Sequence, residues 1–463
     1  MERITLKEAV TFSGGKLISA SLDSAVLNIS TDTRSLSAGD LFVAIKGGSF
    51  NGHDFVKEAL AKGASGVVVS EDGFEGLIAN VIKVADTLEA LKGLARNYVK
   101  KFPKLKVVGI TGSNGKTTTK DMAAHILSGK FKVLKPEGSF NNAIGLPLTC
   151  FKLDSSHDAA VLEYGTNHRG EINYLAGIVS PDIAVMTNIG RTHLEHFPGG
   201  MDEIFEEKFD LVRNLKDDGT AVINADDLFL KKVSEAACLM KVATFGLDNP
   251  SDVRASGIRE LGEGGFSFII SAGNEKAEIR LSVLGRHNIY NALAAAAAGF
   301  VLGLDLKVIK ERLESWQPVS FHRLARFNAG GVLIIDDAYN ANPDSVRGAL
   351  EAIKGLKGGR KLAVLGDMAE LGTEGGKLHL ETGRLAAKSG LDFLVTVGDL
   401  SSGINEGALE SGMPKKKLLH FKDRTEAAKA VLKLVKPGDV VLVKGSRRMK
   451  LEEVVEMIKG IKR

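Results

Sequence analysis

Nine consecutive residues, 111–119 (TGSNGKTTT), combine two glycines, a lysine and several hydroxyl groups, a set of groups that could bind a phosphate. They follow an apolar run at 107–110, predicted as a strand, and precede a predicted helix at 121–127. Backbone N–H groups at a glycine turn and a helix N-terminus surround an anion, Lys116 adds positive charge, and Thr117 can bind Mg²⁺. The run matches the short Gly-x-x-Gly-Lys-Thr form of a phosphate loop. The alternative, a glycine turn that happens to precede a lysine, explains the order of strand, loop and helix less well.

The elements around this loop predict a parallel sheet. Apolar strands alternate with helical segments through the middle of the chain, which is typical of a parallel sheet with helices on its faces. The predicted strands lie at 159–162, 183–186 and 220–223. Residues 252–283 differ, because short alternating strands around 262–265 predict antiparallel pairing; an alanine-rich helix follows at 291–298.

Two further segments flank this central one. Residues 1–87 predict a small mixed α/β domain, with strands at 40–45 and 66–69 and a helix at 54–62, and a helix at 87–101 leads to the phosphate-loop strand. A second α/β set follows residue 318, with strands at 332–335, 362–365, 393–397 and 440–443. We therefore predict an α/β protein of three domains, in which a central parallel-sheet domain precedes a Rossmann-like C-terminal one. The predicted bounds are 1–87, 88–318 and 319–463.

Polar residues follow the predicted strands, where the ligands of parallel sheets bind. Glu163 follows one strand, and residues 187–196 (TNIGRTHLEH), which include His193, follow the next. Three later strand ends carry residues 336–343 (DDAYNANP), 366–372 (GDMAELG) and 444–449 (KGSRRM). If their strands neighbour the phosphate loop, Glu163 and His193 can ligate Mg²⁺ there. Taken singly, each is better explained as a solvated carboxylate or an ordinary loop histidine.

Lys208 lies in the apolar face of a predicted helix at 202–215. It follows Ile204 by four residues and precedes Leu211 by three, so the three side chains share one face. Burial lowers the pKa of an amine and makes it nucleophilic, and such a lysine can take up CO₂ as a carbamate, an anion that binds metal. The helix pattern alone favours a lysine that extends its amine to water at the rim.

Composition excludes several classes of protein. Among 463 residues, 61 Lys and Arg against 57 Asp and Glu give a net charge of +4, without the dense basic tract of a nucleic-acid-binding protein. Cys150 and Cys238 offer neither a disulfide framework nor metal-ligand spacing. The first residues lack the apolar core of a signal peptide, and the longest apolar run, 292–304, is too short to cross a bilayer. We expect a cytoplasmic protein without membrane insertion.

These motifs, in this order, resemble those of the ATP-dependent Mur ligases, which add amino acids to the peptide of bacterial cell-wall precursors. The resemblance rests on the phosphate loop, Glu163, the segment 188–193, Lys208 and residues 285–291 (GRHNIYN). It covers essentially the whole chain, because the N-terminal segments resemble the family's uridine-nucleotide domain. These segments are 30–34 (STDTR), 39–44 (GDLFVA) and 51–55 (NGHDF), in which Asn51 departs from the usual aspartate.

The three C-terminal motifs resemble the family member that adds D-alanyl-D-alanine to a UDP-N-acetylmuramoyl-tripeptide. The resemblance implies that ATP phosphorylates the terminal carboxylate of the tripeptide and that the dipeptide amine attacks the acyl phosphate. It also implies that a monomer suffices and that two Mg²⁺ ions take part.

By the same resemblance, the catalytic groups would be Lys116, His193, Lys208 and Arg323. Thr117 and Glu163 would hold one Mg²⁺, and His193 and carbamylated Lys208 would hold the second. The remaining ATP contacts would come from Gly112, Ser113, Asn114, Gly115, Thr118, His287, Asn288, Asn291 and Asp337. Substrate contacts would come from Thr31, Asp32, Arg34, Asn51, Gly52, His53, Asn340, Asn342 and Asp367.

Other functions stay open on the sequence alone. Within the family, the alternatives are the preceding, tripeptide-forming ligase, whose Asp-Asn-Pro-Arg segment this sequence lacks, and a ligase similar to folylpolyglutamate synthetase. A phosphate-loop motor or switch would have a conventional strand-end aspartate or, in a GTPase, an Asn-Lys-x-Asp segment. A non-catalytic regulator would have no use for Lys116, Glu163 and Lys208 together. Either diaminopimelate or lysine fits the tripeptide.

Overall fold

The computed structural model describes residues 1–18, 25–48, 50–235, 240–318 and 322–460. Its described strands form three larger sheets in succession along the chain, and the short strands Ile4–Thr5 and Ala25–Val26 pair separately. Cys238 lies outside the described residues, as do residues 319–321 at the expected start of the third segment. The predicted α/β fold class is confirmed.

The N-terminal sheet has five described strands, of which only Lys16–Leu17 is antiparallel to its neighbour. In spatial order they are Lys16–Leu17, Val81–Lys83, Gly66–Val69, Asp40–Val43 and Asn28–Ser30. The helices of this segment are Leu6–Ser13, Val56–Ala61 and Thr87–Val99.

The predicted helix at 54–62 is wrong at its start. A 3₁₀ turn, Gly52–Phe55, comes first, because the Asn51 side chain accepts a hydrogen bond from the His53 backbone N–H and turns the chain early. The α-helix itself is Val56–Ala61.

The central sheet contains nine described strands. From one edge to the other they are Glu275–Leu281, Phe266–Ala272, Val253–Glu260, Lys241–Gly246, Thr220–Asn224, Ile183–Met186, Lys106–Thr111, Ala159–Glu163 and Val133–Leu134. All neighbours are parallel except the three strands at the first edge, which are antiparallel to one another as predicted for residues 252–283.

Helices cover both faces of the central sheet, which explains why its parallel strands are apolar along their whole length. On one face, Lys116–Leu127 packs against His287–Val301, whose run of alanines lets the two helix backbones approach closely. The other helices of this segment are Gly145–Cys150, Glu171–Ala176, Gly200–Arg213, Leu228–Glu235 and Leu306–Ser315, and short 3₁₀ turns lie at Leu194–His196 and Gly262–Gly264.

The C-terminal sheet consists of six strands within residues 322–460. Their order is Ala325–Ala329, Val332–Asp337, Val440–Lys444, Lys361–Gly366, Phe393–Val397 and Leu418–Phe421, and only the first is antiparallel to its neighbour. The α-helices are Pro343–Lys354, Gly375–Ala387, Ser402–Glu410, Arg424–Leu434 and Glu452–Lys459. The 3₁₀ turns are Gly372–Glu374, Lys415–Lys417 and Arg447–Met449. Across the described residues, no helix is long and apolar enough to cross a membrane.

Candidate active site

The phosphate loop connects the strand Lys106–Thr111 to the helix Lys116–Leu127. Its two glycines have left-handed backbones, with φ of +144° at Gly112 and +83° at Gly115. A Cβ added to Gly115 would lie 2.2 Å from Asn291 Oδ1, so the neighbouring side chain also excludes a larger residue. The helix N-terminus and the loop N–H groups therefore have the predicted arrangement for binding an anion.

The ammonium group of Lys116 lies over this loop. Its Nζ donates hydrogen bonds to the carbonyl oxygens of Gly112 at 2.7 Å and Ser113 at 3.2 Å. Burial lowers the pKa of Lys116, and the carboxylate of Glu163 opposes that shift. An anionic phosphate in the loop would give this cation a charged partner.

Strands on both sides bring predicted groups to the loop. Ala159–Glu163 is parallel to Lys106–Thr111 on one side, and Ile183–Met186 is parallel to it on the other. The first neighbour ends in Glu163, and the second leads into the segment that contains His193. These strands therefore flank the phosphate loop, which meets the condition under which Glu163 and His193 were expected beside it.

Thr117 and Glu163 belong to one hydrogen-bonded network. Thr117 Oγ1 donates to Glu163 Oε2 at 2.9 Å and accepts from Arg323 Nη2 at 3.0 Å. The second carboxylate oxygen, Oε1, accepts from Asn141 Nδ2 at 2.8 Å. The guanidinium of Arg323 also stacks over the ring of Tyr339, 4.1 Å from its centroid. These contacts fix the hydroxyl and the carboxylate side by side.

Two adjacent oxygen donors fit Mg²⁺, which is usually bound by one or two protein oxygens together with substrate phosphates and water. Nowhere in the described residues does a cluster of three or more His, Cys, Asp and Glu side chains offer a complete metal site. Thr117 and Glu163 therefore fit a metal ion that binds together with a nucleotide.

Lys208 lies on the helix Gly200–Arg213 and is only 2% exposed, so the rim position favoured by the helix pattern alone is wrong. Burial lowers the pKa of its amine well below the usual value, and the cation of Lys116 lowers it further. Burial and the same Lys116 cation lower the pKa of His193 to about 4. Three basic groups therefore lie close together, and a bound anion or a carbamate would offset their mutual repulsion.

Contacts join the phosphate loop to the C-terminal segment. Asn342 Nδ2 donates to Asn114 Oδ1 at 2.8 Å, and Asn114 Nδ2 donates back to Asn342 Oδ1 at 3.4 Å. The backbone N–H of Arg191 donates to Asp344 Oδ2 at 3.2 Å. His193 Nδ1 and Glu370 Oε2 form a further hydrogen bond between the two segments. In this structure the C-terminal segment is closed over the loop.

A cavity of about 1120 Å³ lies where these segments meet. Most of the residues predicted to bind nucleotide or metal line it. They are Ser113, Asn114, Gly115, Lys116, Thr117, Thr118, Glu163, His193, His287, Asn288, Asn291, Arg323 and Asp337. Asn340 and Asn342, predicted to contact substrate, line it as well. Lys116 and Asp337, expected to approach one nucleotide from opposite sides, thus face one cavity.

Lys444 contributes a buried cation from the C-terminal sheet. It is 3% exposed, and its Nζ donates to Asp337 Oδ2 at 2.6 Å and to the carbonyl of Asn340 at 2.9 Å. The pairing follows from the sheet, in which Asp337 and Lys444 are register partners on adjacent parallel strands. The motifs at 336–343 and 444–449 therefore form one part of the cavity wall.

Three family models match the chain: the Mur ligase middle domain at 110–299, the Mur ligase glutamate ligase domain at 322–447, and the catalytic domain of the Mur ligase family at 26–99. A curated relative from Bacillus subtilis, UDP-N-acetylmuramoyl-tripeptide–D-alanyl-D-alanine ligase, is 35% identical over 464 residues and covers 98% of each chain. The chain belongs to the Mur ligase family. The resemblance predicted from the motifs is confirmed.

Solved Mur ligase structures agree with this assignment. Crystal structure I of MurF from Acinetobacter baumannii is 33% identical, has a TM-score of 0.92 and covers 100% of both chains. MurF from Thermotoga maritima in complex with ADP is 31% identical, has a TM-score of 0.82, and covers 93% of this chain and 97% of that one.

The N-terminal motif of this Mur ligase is held by its own hydrogen bonds. His53 is buried; its Nδ1 pairs with Asn51 Oδ1 at 2.8 Å and its Nε2 accepts from the Ser70 N–H at 2.9 Å. Asn51 Nδ2 donates to Glu71 Oε1 at 3.0 Å. The family usually has an aspartate at position 51. The Asn51 amide can donate a hydrogen bond to the Glu71 carboxylate, whereas an aspartate carboxylate would repel Glu71. Gly52 has no room for a side chain, since a Cβ would lie 2.6 Å from the backbone of Ile45.

Asp32 and Arg34 are exposed and form an ion pair of 2.6 Å, with the Arg34 side chain 88% exposed. Together with Thr31 and the 51–53 motif, they lie outside the lining of the large cavity. A guanidinium that is free on most of its surface remains accessible to an anionic substrate.

The structure does not bring every predicted residue to the cavity. Asp367 is 6% exposed and its Oδ1 accepts from the Ser401 N–H at 2.8 Å, so its carboxylate holds a neighbouring loop rather than facing the cavity. Gly112 and Lys208 also lie outside the cavity lining. Gly112 is part of the phosphate-loop backbone, and Lys208 is buried.

Sequence reasoning missed several groups. Asn141 orients Glu163, and Asp226, Asp227 and Tyr290 line the cavity. Tyr290 was visible inside the GRHNIYN motif, and the pair Asp226-Asp227 follows the strand Thr220–Asn224, so the strand-end rule could have found both. No sequence signal indicates Asn141.

Proposed function

We propose that this chain joins D-alanyl-D-alanine to UDP-N-acetylmuramoyl-tripeptide with consumption of ATP, as the names of its full-length relatives describe for them. The observation that carries the proposal is the single cavity lined both by the phosphate loop and by the C-terminal motifs. One space then accommodates ATP, the acyl group and the attacking amine.

The reaction has two steps. A carboxylate oxygen of the tripeptide attacks the γ-phosphorus, the bond to the β-phosphate oxygen breaks, and ADP and an acyl phosphate form. The dipeptide amine then attacks the acyl carbon, loses a proton, and expels inorganic phosphate. Both steps bring anionic groups together, so catalysis depends mainly on position and on positive charge.

The cations of the cavity supply that charge. Lys116 and Arg323 neutralise the β- and γ-phosphates. The contacts of Arg323 with Thr117 Oγ1 and the ring of Tyr339 support this role, because they hold its guanidinium beside the phosphate loop. His287, Asn288, Asn291 and Asp337 surround the adenosine. Asn340 and Asn342 contact the dipeptide, and the exposed Arg34 with the 31–34 and 51–53 segments binds the uridine nucleotide. Asp367 takes part only by holding its loop.

Two magnesium ions are part of the proposal. Thr117 and Glu163 hold the first, and His193 with carbamylated Lys208 holds the second. When bound, such ions withdraw charge from phosphate and carboxylate oxygens. The low pKa that burial gives Lys208 supports the carbamate, because only the neutral amine adds to CO₂, forming an N–C bond and releasing a proton.

The architecture completes the proposal. We assign residues 1–87 to the UDP-substrate, 88–318 to ATP and 319–463 to the dipeptide. A monomer suffices because every proposed ATP and dipeptide contact lies on one chain. Since the reaction uses ATP, we assign the enzyme to the cytoplasm.

Phosphate release tests this function. Purified protein with ATP and Mg²⁺ should release phosphate in quantity only when UDP-N-acetylmuramoyl-tripeptide and D-alanyl-D-alanine are both present. Single D-amino acids, diaminopimelate with a UDP-dipeptide, and folate with glutamate serve as substrates of the alternative ligases. Turnover with ATP alone, or a preference for one of these alternatives, would contradict the proposal.

A further inference from the structure

His193 and Glu370 share an unusual backbone conformation. Both have left-handed φ values, +55° and +61°, although neither is glycine. They come from different segments, since His193 follows a strand of the central sheet and Glu370 belongs to the GDMAELG motif after a strand of the C-terminal sheet. Their side chains are hydrogen-bonded to each other, His193 Nδ1 to Glu370 Oε2.

Left-handed conformations of such residues are strained and persist where the surroundings hold them. Here the surroundings are one contact within the central segment and two contacts that join the central segment to the C-terminal one. The Glu195 N–H donates to the Glu370 carbonyl at 3.2 Å, and the His196 N–H donates to the His193 carbonyl at 2.9 Å. Gly372 packs so closely that a Cβ would lie 3.1 Å from Glu195 Cα. Both backbones are thus shaped to bring these two side chains together.

The hydrogen bond determines what the imidazole can do. A carboxylate accepts only, so the proton of a neutral His193 is on Nδ1 and the lone pair is on Nε2. His193 lines the cavity, so the ring nitrogen that is not bonded to Glu370 is available on the cavity side. Ligating histidines commonly have such a carboxylate on the ring nitrogen that is not bound to the metal.

We propose that Glu370 is a positioning residue that fixes the tautomer and orientation of His193, so that His193 becomes a competent metal ligand only when the C-terminal segment is closed on the central one. This inference rests on the proposed function, in which His193 holds the second ion. It assigns to the GDMAELG motif a role in metal binding as well as in forming the cavity wall.

A neighbouring contact provides a matched control. Arg191 Nη1 lies 3.3 Å from Glu381 Oε2, an ion pair between the same two segments. The Glu381 side chain is 40% exposed and that of Glu370 is 41% exposed, so their removal exposes similar surface. Glu381 does not line the cavity, and among the described residues its ion pair is with Arg191, while that of His193 is with Glu370.

The test compares wild type, Glu370→Gln, Glu370→Ala and Glu381→Gln as full-length proteins saturated with a non-hydrolysable ATP analogue. Nitrogen-15 NMR of histidine-labelled protein reads the His193 tautomer, with the signal assigned by its loss in His193→Gln. Electron paramagnetic resonance titration with Mn²⁺ reads the affinity of each ion.

We expect wild type and Glu381→Gln to have the Nδ1–H tautomer and two bound Mn²⁺. Glu370→Ala should populate the Nε2–H tautomer and bind the weaker Mn²⁺ about 10–100-fold less tightly, with the first ion unchanged. Glu370→Gln, whose amide oxygen still accepts from Nδ1–H, should fall between the two.

An unchanged tautomer and a weaker-site affinity within twofold of wild type in Glu370→Ala would overturn the inference. So would an equal loss in Glu381→Gln, because that would indicate loosened closure instead of ring positioning. A wild type that binds one Mn²⁺ overturns this inference together with the two-ion assignment, while phosphate release decides the ligase reaction separately.

Discussion

Substitution of Gly115 by alanine tests the geometry of the phosphate loop most sharply. Gly115 has φ of +83°, and its Cβ would lie 2.2 Å from Asn291 Oδ1. Asn291 must then move, and its carboxamide makes two buried hydrogen bonds, from Thr119 Oγ1 at 3.3 Å and to Asn288 Oδ1 at 2.7 Å. The variant is therefore expected to lose stability for two reasons, the strained left-handed backbone of an alanine at position 115 and the displacement of the Asn291 side chain.

The two costs can be separated by a control. Gly412 has φ of +89° and no atom within 4 Å of its added Cβ, so Gly412→Ala carries the backbone cost alone, about 1–2 kcal/mol. Loss of two hydrogen bonds adds about 0.5–1.5 kcal/mol each, so Gly115→Ala should lower the free energy of unfolding by about 2–5 kcal/mol in total.

Urea unfolding and calorimetric titration with ADP provide the two measurements. Because Asn291 and the loop N–H groups face the cavity, Gly115→Ala should also weaken ADP binding by about 10-fold or more, which corresponds to about 1.4 kcal/mol. Gly412→Ala should bind ADP as wild type does. Equal stability losses in the two variants, with unchanged ADP affinity, would refute the described packing of Gly115 against Asn291.

Three further predictions concern Lys116 and Lys208. Lys116→Ala should lower kcat about 100-fold or more in the phosphate-release assay while binding of the UDP-substrate is retained, because its charge acts on the phosphates; near-normal turnover would argue against the loop as the ATP site. Lys208→Ala should be nearly inactive, still fold and bind ATP, and regain part of its activity with short carboxylates in solution; full activity without them would contradict the carbamate. Burial keeps the pKa of Lys208 in the folded protein far below its unfolded value of about 10.4. At pH values between these two pKa values the unfolded chain binds more protons than the folded one, so the free energy of unfolding rises with pH. Lys208→Met should therefore be more stable near neutral pH and show a flatter pH dependence of the urea midpoint in CO₂-free buffer, and an unchanged slope would exclude a neutral Lys208 in the folded protein.

Local patterns made much of the fold and site predictable. Apolar runs identified the strands, and the rule that ligands bind at carboxyl ends of parallel strands placed Glu163 and the His193 segment beside the phosphate loop. Helical spacing put Lys208 on the same face as Ile204 and Leu211, although it favoured an amine at the rim and the structure buries the side chain. Each of these inferences depends on residues within one element or on adjacent strands of one sheet.

Contacts between separate sheets were not predictable in this way. Glu370 contacts His193, and Asn342 contacts Asn114, only because the C-terminal segment packs against the central one. The spacing of apolar residues along the sequence does not predict how two such segments pack together. Asp367 shows the opposite error, since a polar residue after a strand was expected at the cavity and instead holds the Ser401 loop. A strand-end position indicates where a side chain begins, while its partners determine where it points.

In the proposed reaction, one cavity forms an amide through an acyl phosphate. Tripeptide labelled with ¹⁸O at both oxygens of its terminal carboxylate tests it directly, because the oxygen that attacks the γ-phosphorus leaves with the phosphate when the amine attacks. Mass spectrometry of the products should find one ¹⁸O in each inorganic phosphate and one retained in the new amide. Phosphate without ¹⁸O, released together with unligated tripeptide, would mean that water attacks ATP and would contradict the account.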